Sequence, residues 1–269
     1  MKRARLAQET MANLRATWDS FGSQLPPINS LPEHLVTPLQ DHEKIPISEE
    51  SFDQLLRSDR VLSDRNCSET DLRRIFRIHK TDRIGPHQTF LYVFGLDTPG
   101  PNCNKNAYIH LWDSLIRNIM ARMIRTARTE SAVSKPTQQS AMNTENPKAE
   151  LIETLNGWSY GAVPYIFGYY AKGTSVTYVA MTKDERKKDA EIHDLCELDF
   201  NKMVDRITNI IILIRMAPLL RRLSVLVGSR EFGEYVNNQW SVRFFEVVLA
   251  KTEYALDKVI IIVLQVIAP

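Results

Sequence analysis

The chain has 269 residues, 43% hydrophobic and 25% charged, and its 34 Lys plus Arg against 32 Asp plus Glu leave a net charge of +2. Such fractions belong to a globular chain of one large domain or two small ones, and near-neutrality confines any nucleic-acid face to a local patch. Three separated cysteines, Cys67, Cys103 and Cys196, build neither a disulfide framework nor a four-ligand zinc site by themselves.

The opening "MKRARLAQETMANL" has the basic residues of a signal n-region with no apolar region behind them. "ITNIIILIRM" and "VIIIVLQVIAP" fall short of the roughly 18 apolar residues that span a bilayer, so a soluble protein with buried segments is expected. Residues 4–20 place Leu6, Met11, Leu14 and Trp18 near helical spacing. "QLPPINSLPEHLVTPLQDHEKIP" carries five prolines and is expected to be an extended linker or arm. Ser48, followed by Glu49 and Glu50, predicts a capped helix near 49–57, and "SETDLRRIFRIH" predicts another short helix. "QTFLYVFGL", aromatic and β-branched, predicts a strand, and "DTPGPNC" a turn.

Residues 106–128 carry the strongest helical pattern. Tyr108, Ile109, Trp112, Ile116, Ile119, Met120, Met123 and Ile124 gather on one side at about 100° per residue. Arg117, Arg122, Arg125 and Arg128 fall on a separate arc, which fits either a solvated face or one that contacts phosphates. "TARTESAVSKPTQQSAMNTENPKA" is linker material, with helix expected again at 147–155. Then "YGAVPYIFGYYAKGTSVTYVAM" reads as two strands turning at Gly173, apolar on both faces and therefore buried on both. "MTKDERKKDAEIHDL" is expected to be a charge-dense loop, and 199–223 a long helix kinked or ended before Pro218. "SVRFFEVVLAK" predicts a strand. "TEYALDKVIIIVLQVI" predicts a helix capped by Thr252, an apolar ending that lacks a visible partner.

Three stretches, "AYIHLWDSLIRNIM", "ENPKAELIETLNGWSYGAVPYIFGYYAKGTSVTYVAMT" and "LDFNKMVDRITNIIILIRMAPLLRRL", together resemble the C-terminal regions of crinkler-type effector proteins of oomycetes and fungi. "REFGEYVNNQWSVRFFEVVLAKTEYALDKV" resembles the start of the kinase-like domain that follows in that family. The likeness spans about 105–269 and, with the residue pattern before it, points to an α/β fold in three parts. These are an N-terminal helical and Pro-rich region (1–85), a restriction-endonuclease-like core of a small mixed sheet flanked by helices (86–223), and an incomplete kinase-like N-lobe (224–269). It also implies secretion into a host cell and action in its nucleus, although the family's translocation motif and a signal peptide are missing.

The implied nuclease chemistry needs an acid on a helix, an Asp at a strand start and a Glu-x-Lys pair on the next strand. Together these hold a divalent ion that activates water. Asp113 supplies the helical acid. Between Arg128 and Pro147, "TESAVSKPTQQSAMNTEN" contains no such strand, and the one Glu-x-Lys, Glu185 to Lys187, lies in the charged segment. In the kinase-like part Lys251 of "VVLAK" matches the ATP-contacting lysine, but "GSREFG" is a poor Gly-rich loop and the catalytic motifs are missing. His193 and Cys196, three apart among acids, do not complete a metal site. The expectation is therefore an effector module without catalytic residues, resident metal, cofactor or small-molecule substrate, which binds a host protein or nucleic acid. A magnesium-dependent DNA nuclease and a truncated inactive remnant are the alternatives.

Overall fold

A computed structural model describes residues 2–22, 24–58, 61, 67–79, 88–100, 103, 105–124, 148, 163–182, 190–227 and 257–261. The first helix, α1 (Lys2–Asp19), buries Met11, Leu14 and Trp18 on the face set by its apolar spacing. The proline-rich segment expected to be an extended arm instead folds. It forms helix α2 (Leu31–Val36) between short 3₁₀ turns at Ile28–Ser30 and Asp41–Glu43, and it buries Leu31, Leu35 and Leu39. Pro32 sits in the first turn of α2, where the missing N–H costs nothing, so the prolines start structure rather than prevent it.

Strand β1 (Ile45–Ser48) runs directly into α3 (Glu49–Leu56), whose Ser48 hydroxyl accepts from Ser51 N as the sequence predicts. Helix α4 (Glu69–Leu72) opens on a capping box in which the Ser68 hydroxyl holds the Asp71 carboxyl below its usual range. It leads into strand β2 (Phe76–His79), which pairs with β1 in parallel. "QTFLYVFGL" forms helix α5 (Gln88–Gly95), not a strand. Its Phe90, Val93 and Phe94 recur at helical spacing and are buried, so packing overrides β propensity.

Helix α6 (Lys105–Trp112), a π turn (Asp113–Arg117) and α7 (Asn118–Ile124) make one continuous helical element. Strands β3 (Ile166–Lys172) and β4 (Ser175–Thr182) form the predicted hairpin, and Gly173 takes φ 59° at the turn, where a side chain would be strained. A third strand, β5 (Glu191–Asp199), takes the last five residues of the expected charged loop, 191–195. Its Leu195 and Leu198 are buried beneath exposed Glu191, Asp194 and Glu197, and Leu195 is the extra residue of a bulge opposite Tyr178 and Val179. Helix α8 (Met203–Val227) follows and passes unbroken through Pro218. Strand β6 (Asp257–Ile261) lies where a helix was expected; its Val259, Ile260 and Ile261 are β-branched, and it pairs with β3.

The protein is thus a mixed α/β fold whose four-stranded sheet, in the order β5-β4-β3-β6, is antiparallel throughout. On one face Phe167, Tyr169, Ala171, Val176, Tyr178 and Ala180 join a single hydrophobic cluster that extends from Met11 to Leu223. Val179 and Met181 point to the other face and are buried as well, so the hairpin is covered on both sides as its composition predicts.

Helix α8 is the axis of this cluster. Ile207, Ile210 to Ile214, Met216, Ala217, Leu219 and Leu220 are all buried, and the helix packs against α1, α2, α7 and β5. Packing all round explains why Pro218 does not end it, since the roughly 3 kcal/mol cost of an interior proline is small beside the burial of so many apolar side chains. Arg215 pairs with Glu43 at 3.1 Å, both side chains 8% exposed. It also donates to Pro38 O at 2.9 Å and covers the Phe21 ring at 3.9 Å. Removing one member of such a pair strands the other charge, so Glu43→Ala should cost about 3–5 kcal/mol in urea unfolding at pH 7.

Burial, followed by the nearby Arg215 charge, lowers the pKa of His34 on α2 below its ordinary 6.5. The folded protein therefore binds that proton less well than the unfolded chain, and this stabilisation is present above pH 6.5 and lost as pH falls through the depressed value. His34→Gln should flatten this part of a stability-against-pH profile, read as the thermal midpoint between pH 7.5 and 5.

Candidate functional site

The helical element α6–π–α7 is clamped to the sheet at its centre. Trp112 Nε1 donates to Gly173 O at 2.9 Å, fixing the element over the β3–β4 turn. In the π turn the Asn118 N–H reaches back to Asp113 O, one residue farther than in an α-helix, which leaves nearby carbonyls in need of donors. Ser114 O receives the Tyr92 hydroxyl at 2.7 Å, and Leu115 O receives Asn209 Nδ2 at 2.8 Å. The Asn209 amide oxygen accepts from the buried Tyr178 hydroxyl, so β4, α8 and the π turn join in one polar chain. Asn209→Leu would strand both the Tyr178 hydroxyl and Leu115 O, and the expected loss is about 2–4 kcal/mol in chemical denaturation, with Tyr178→Phe in that background costing little more.

Asp113, the acid expected on this helix, lies in the π turn. Its Oδ2 is 3.2 Å from Arg117 Nη2, and its Oδ1 is buried with no hydrogen-bond partner. The Tyr169 hydroxyl of β3 is also buried without a partner; burial first, then the Asp113 charge, hold its pKa well above the usual value. Among the described residues no three of His, Cys, Asp and Glu come together as metal ligands. A hard divalent ion takes about six or more oxygen ligands, and one carboxylate already balanced by an arginine does not provide that cradle. The described side chains therefore do not fit a resident magnesium ion.

Of the arginine stripe, Arg117 is half exposed and tied to Asp113. Arg122 lies on α7, its side chain outside the described residues, and Arg125 and Arg128 lie outside them altogether. So do Lys251, Glu185 to Lys187, the helix expected at 147–155 apart from Lys148, and the strand expected at 241–251. On β5, His193 lies 3.3 Å from Thr182 Oγ1, Asp194 pairs with Lys148 at 2.8 Å, and burial pushes the Cys196 thiol pKa up. His193 and Asp194 thus meet different neighbours, Thr182 of β4 and Lys148, and with Cys196 they form no metal cluster among the described residues.

A grouping that no local sequence pattern reveals lies at the far end of α8. Arg221 donates to Met123 O of α7 at 3.2 Å and pairs with Asp19 of α1. Arg15 shares that neighbourhood: its pKa is lowered by burial and then by repulsion from Arg221, and raised by Asp19. Arg222 beside them is exposed. Two helices distant in sequence, α1 and α8, thus bring guanidinium groups to the end of α7, where the predicted stripe runs. "LLRRL" and "ANLRATWD" are separated by about 200 residues, and nothing in either segment signals the other.

No helix among the described residues is long and apolar enough to cross a membrane. No family model matches the chain, and no curated protein or solved structure matches it either.

Proposed function

We propose that the chain is a crinkler-like effector module that works by binding a host macromolecule, and that nucleic acid is the partner its charge arrangement favours. One observation carries this reading: Arg221 of α8 reaches the Met123 carbonyl of α7 and, after burial, disfavours the charge on Arg15 of α1, with Asp19 the carboxylate that acts on both. Guanidinium groups gathered at one helix end form a positive patch, to which a phosphate backbone is a complementary anion. Exposed Arg222 follows Arg221 on α8, and in the sequence the stripe continues through Arg117, Arg122 and Arg125.

Asp199 ends β5 and Asp205 lies near the start of α8, where Asp205 Oδ2 accepts from Asp199 N at 2.8 Å. Arg221 lies about 27 Å beyond the first residue of that helix, at 1.5 Å per residue. This acidic pair is therefore at the opposite end of α8 from the arginine patch.

A gel shift of duplex DNA or structured RNA should weaken linearly in log salt. Arg221→Ala together with Arg222→Ala should reduce the slope by roughly one for each phosphate that is no longer neutralised. Arg122→Ala with Arg125→Ala should weaken binding further. Salt-insensitive binding, or affinity unchanged in all four substitutions, would refute the nucleic-acid reading, and specific capture of a host protein through other surfaces would replace it.

The metal-dependent nuclease is the second reading, and Asp113 favours it: an acid on the expected helix with one oxygen turned inward and unpartnered. Plasmid DNA incubated with the full chain and magnesium is expected to remain intact. Cleavage that requires magnesium and disappears in Asp113→Ala would establish the nuclease instead.

A further inference from the structure

Arg221 uses its two terminal nitrogens differently. Nη1 donates to Met123 O at 3.2 Å, in the last turn of α7, where helical carbonyls have no intrahelical donor. Because a guanidinium is planar and rigid, that bond also fixes the direction of Nη2, which meets the Asp19 carboxylate through Oδ1. The Arg221 side chain is mostly covered, at 24% exposed, whereas Asp19 is 52% exposed and opens on solvent.

Asp19 is poorly placed on its own helix. It is the last residue of α1, where the aligned peptide dipoles leave partial negative charge, and an acid there is disfavoured unless a cation offsets it. Arg15 stands four residues earlier, at the spacing that puts two side chains on one helix face. The carboxylate is therefore favoured by its arginines and not by its helix. An exposed ion pair of this kind has little net strength, so its anion exchanges readily. A phosphate and a carboxylate present oxygens to a guanidinium in the same planar geometry, and a nitrogen that seats one can seat the other.

We infer that Asp19 occupies on Arg221 the place of a phosphate oxygen, and that this carboxylate closes the arginine patch until a polyanion displaces it. The inference rests on the reading of the patch as a phosphate-binding face and adds its regulation: one acid of α1 sets how strongly the patch competes for anions.

Two titrations of the full chain test it, both with Asp19→Asn, which keeps the shape of the side chain and removes its charge. The first uses inorganic phosphate at constant ionic strength and reads the thermal midpoint. Apparent affinity should rise about two- to fivefold in Asp19→Asn, the range that release of a surface ion pair supplies. The gain should vanish when Arg221→Gln is added. Glu50→Gln, which removes an exposed acid of α3 that accepts from Gln54, controls for net charge and should give no gain. The inference is overturned by a phosphate response no stronger in Asp19→Asn than in the wild type, by a gain that Glu50→Gln matches, or by one that survives without Arg221. Asp19 would then serve only to fasten α1 to α8. The second titration uses duplex DNA in the gel shift, where the same gain is expected. A phosphate gain with no DNA binding by either chain would uphold the anion site and defeat the nucleic-acid reading, so the two failures are told apart.

Discussion

A helix covered on every side can carry a polar side chain only where some other part of the fold supplies its partner. Helix α8 carries three such groups in its first half, and each commits a different element. Arg206 donates to Phe200 O, and to Val93 O and Leu96 O at the end of α5, where a cation also suits the helix dipole. Asn209 secures β4 and the π turn, while Arg215 secures the segment from Thr37 to Glu43. Hydrophobic burial drives these elements together without saying how they should be aligned. The polar contacts choose the alignment, because a shift of one turn would leave a buried charge or amide without a partner.

The same requirement shapes the site around Asp113. The wider π turn opens carbonyls that Tyr92 and Asn209 then occupy. One carboxylate oxygen is bound by an exposed arginine and the other is directed into the interior, so the acid is divided between solvent and core. The arginines at the far end of α8 have a different logic. Arg15 and Arg221 are held close by the packing of α1 and α8, which puts them in a position that solvent alone would not favour.

Sequence patterns identified elements where one periodicity was clear and local. The alternation and the glycine of "YIFGYYAKGTSVTYVAM" made the hairpin and its two-sided burial legible, and the apolar arc from Tyr108 to Ile124 did the same for the helical element. The errors occur where two signals compete. "QTFLYVFGL" has strand composition with helical spacing, and the spacing wins because Phe90, Val93 and Phe94 all meet the core. "EIHDLCELD" looks like a loop by charge, yet Leu195 and Leu198 are enough to dock it beside β4. Pro218 and the prolines of 26–46 read as breakers because the surrounding tertiary support is not local information. Asp113 was visible as an acid in an amphipathic helix. The bonds that the π turn receives from Tyr92 and Asn209, and the meeting of Arg15 with Arg221, arise only from chain crossings over tens to hundreds of positions.

The hydrogen bonds of Arg215 join positions up to 178 residues apart, between α8 and the carbonyl of Thr37. A ribosome adding about 5–20 residues per second emits the proline-rich segment roughly 10–35 seconds before its binding surface exists. Throughout that interval Trp18, Leu31, Leu35 and Leu39, all buried in the finished protein, have no α8 to cover them. The amino-terminal quarter therefore takes its final place late in the life of the nascent chain.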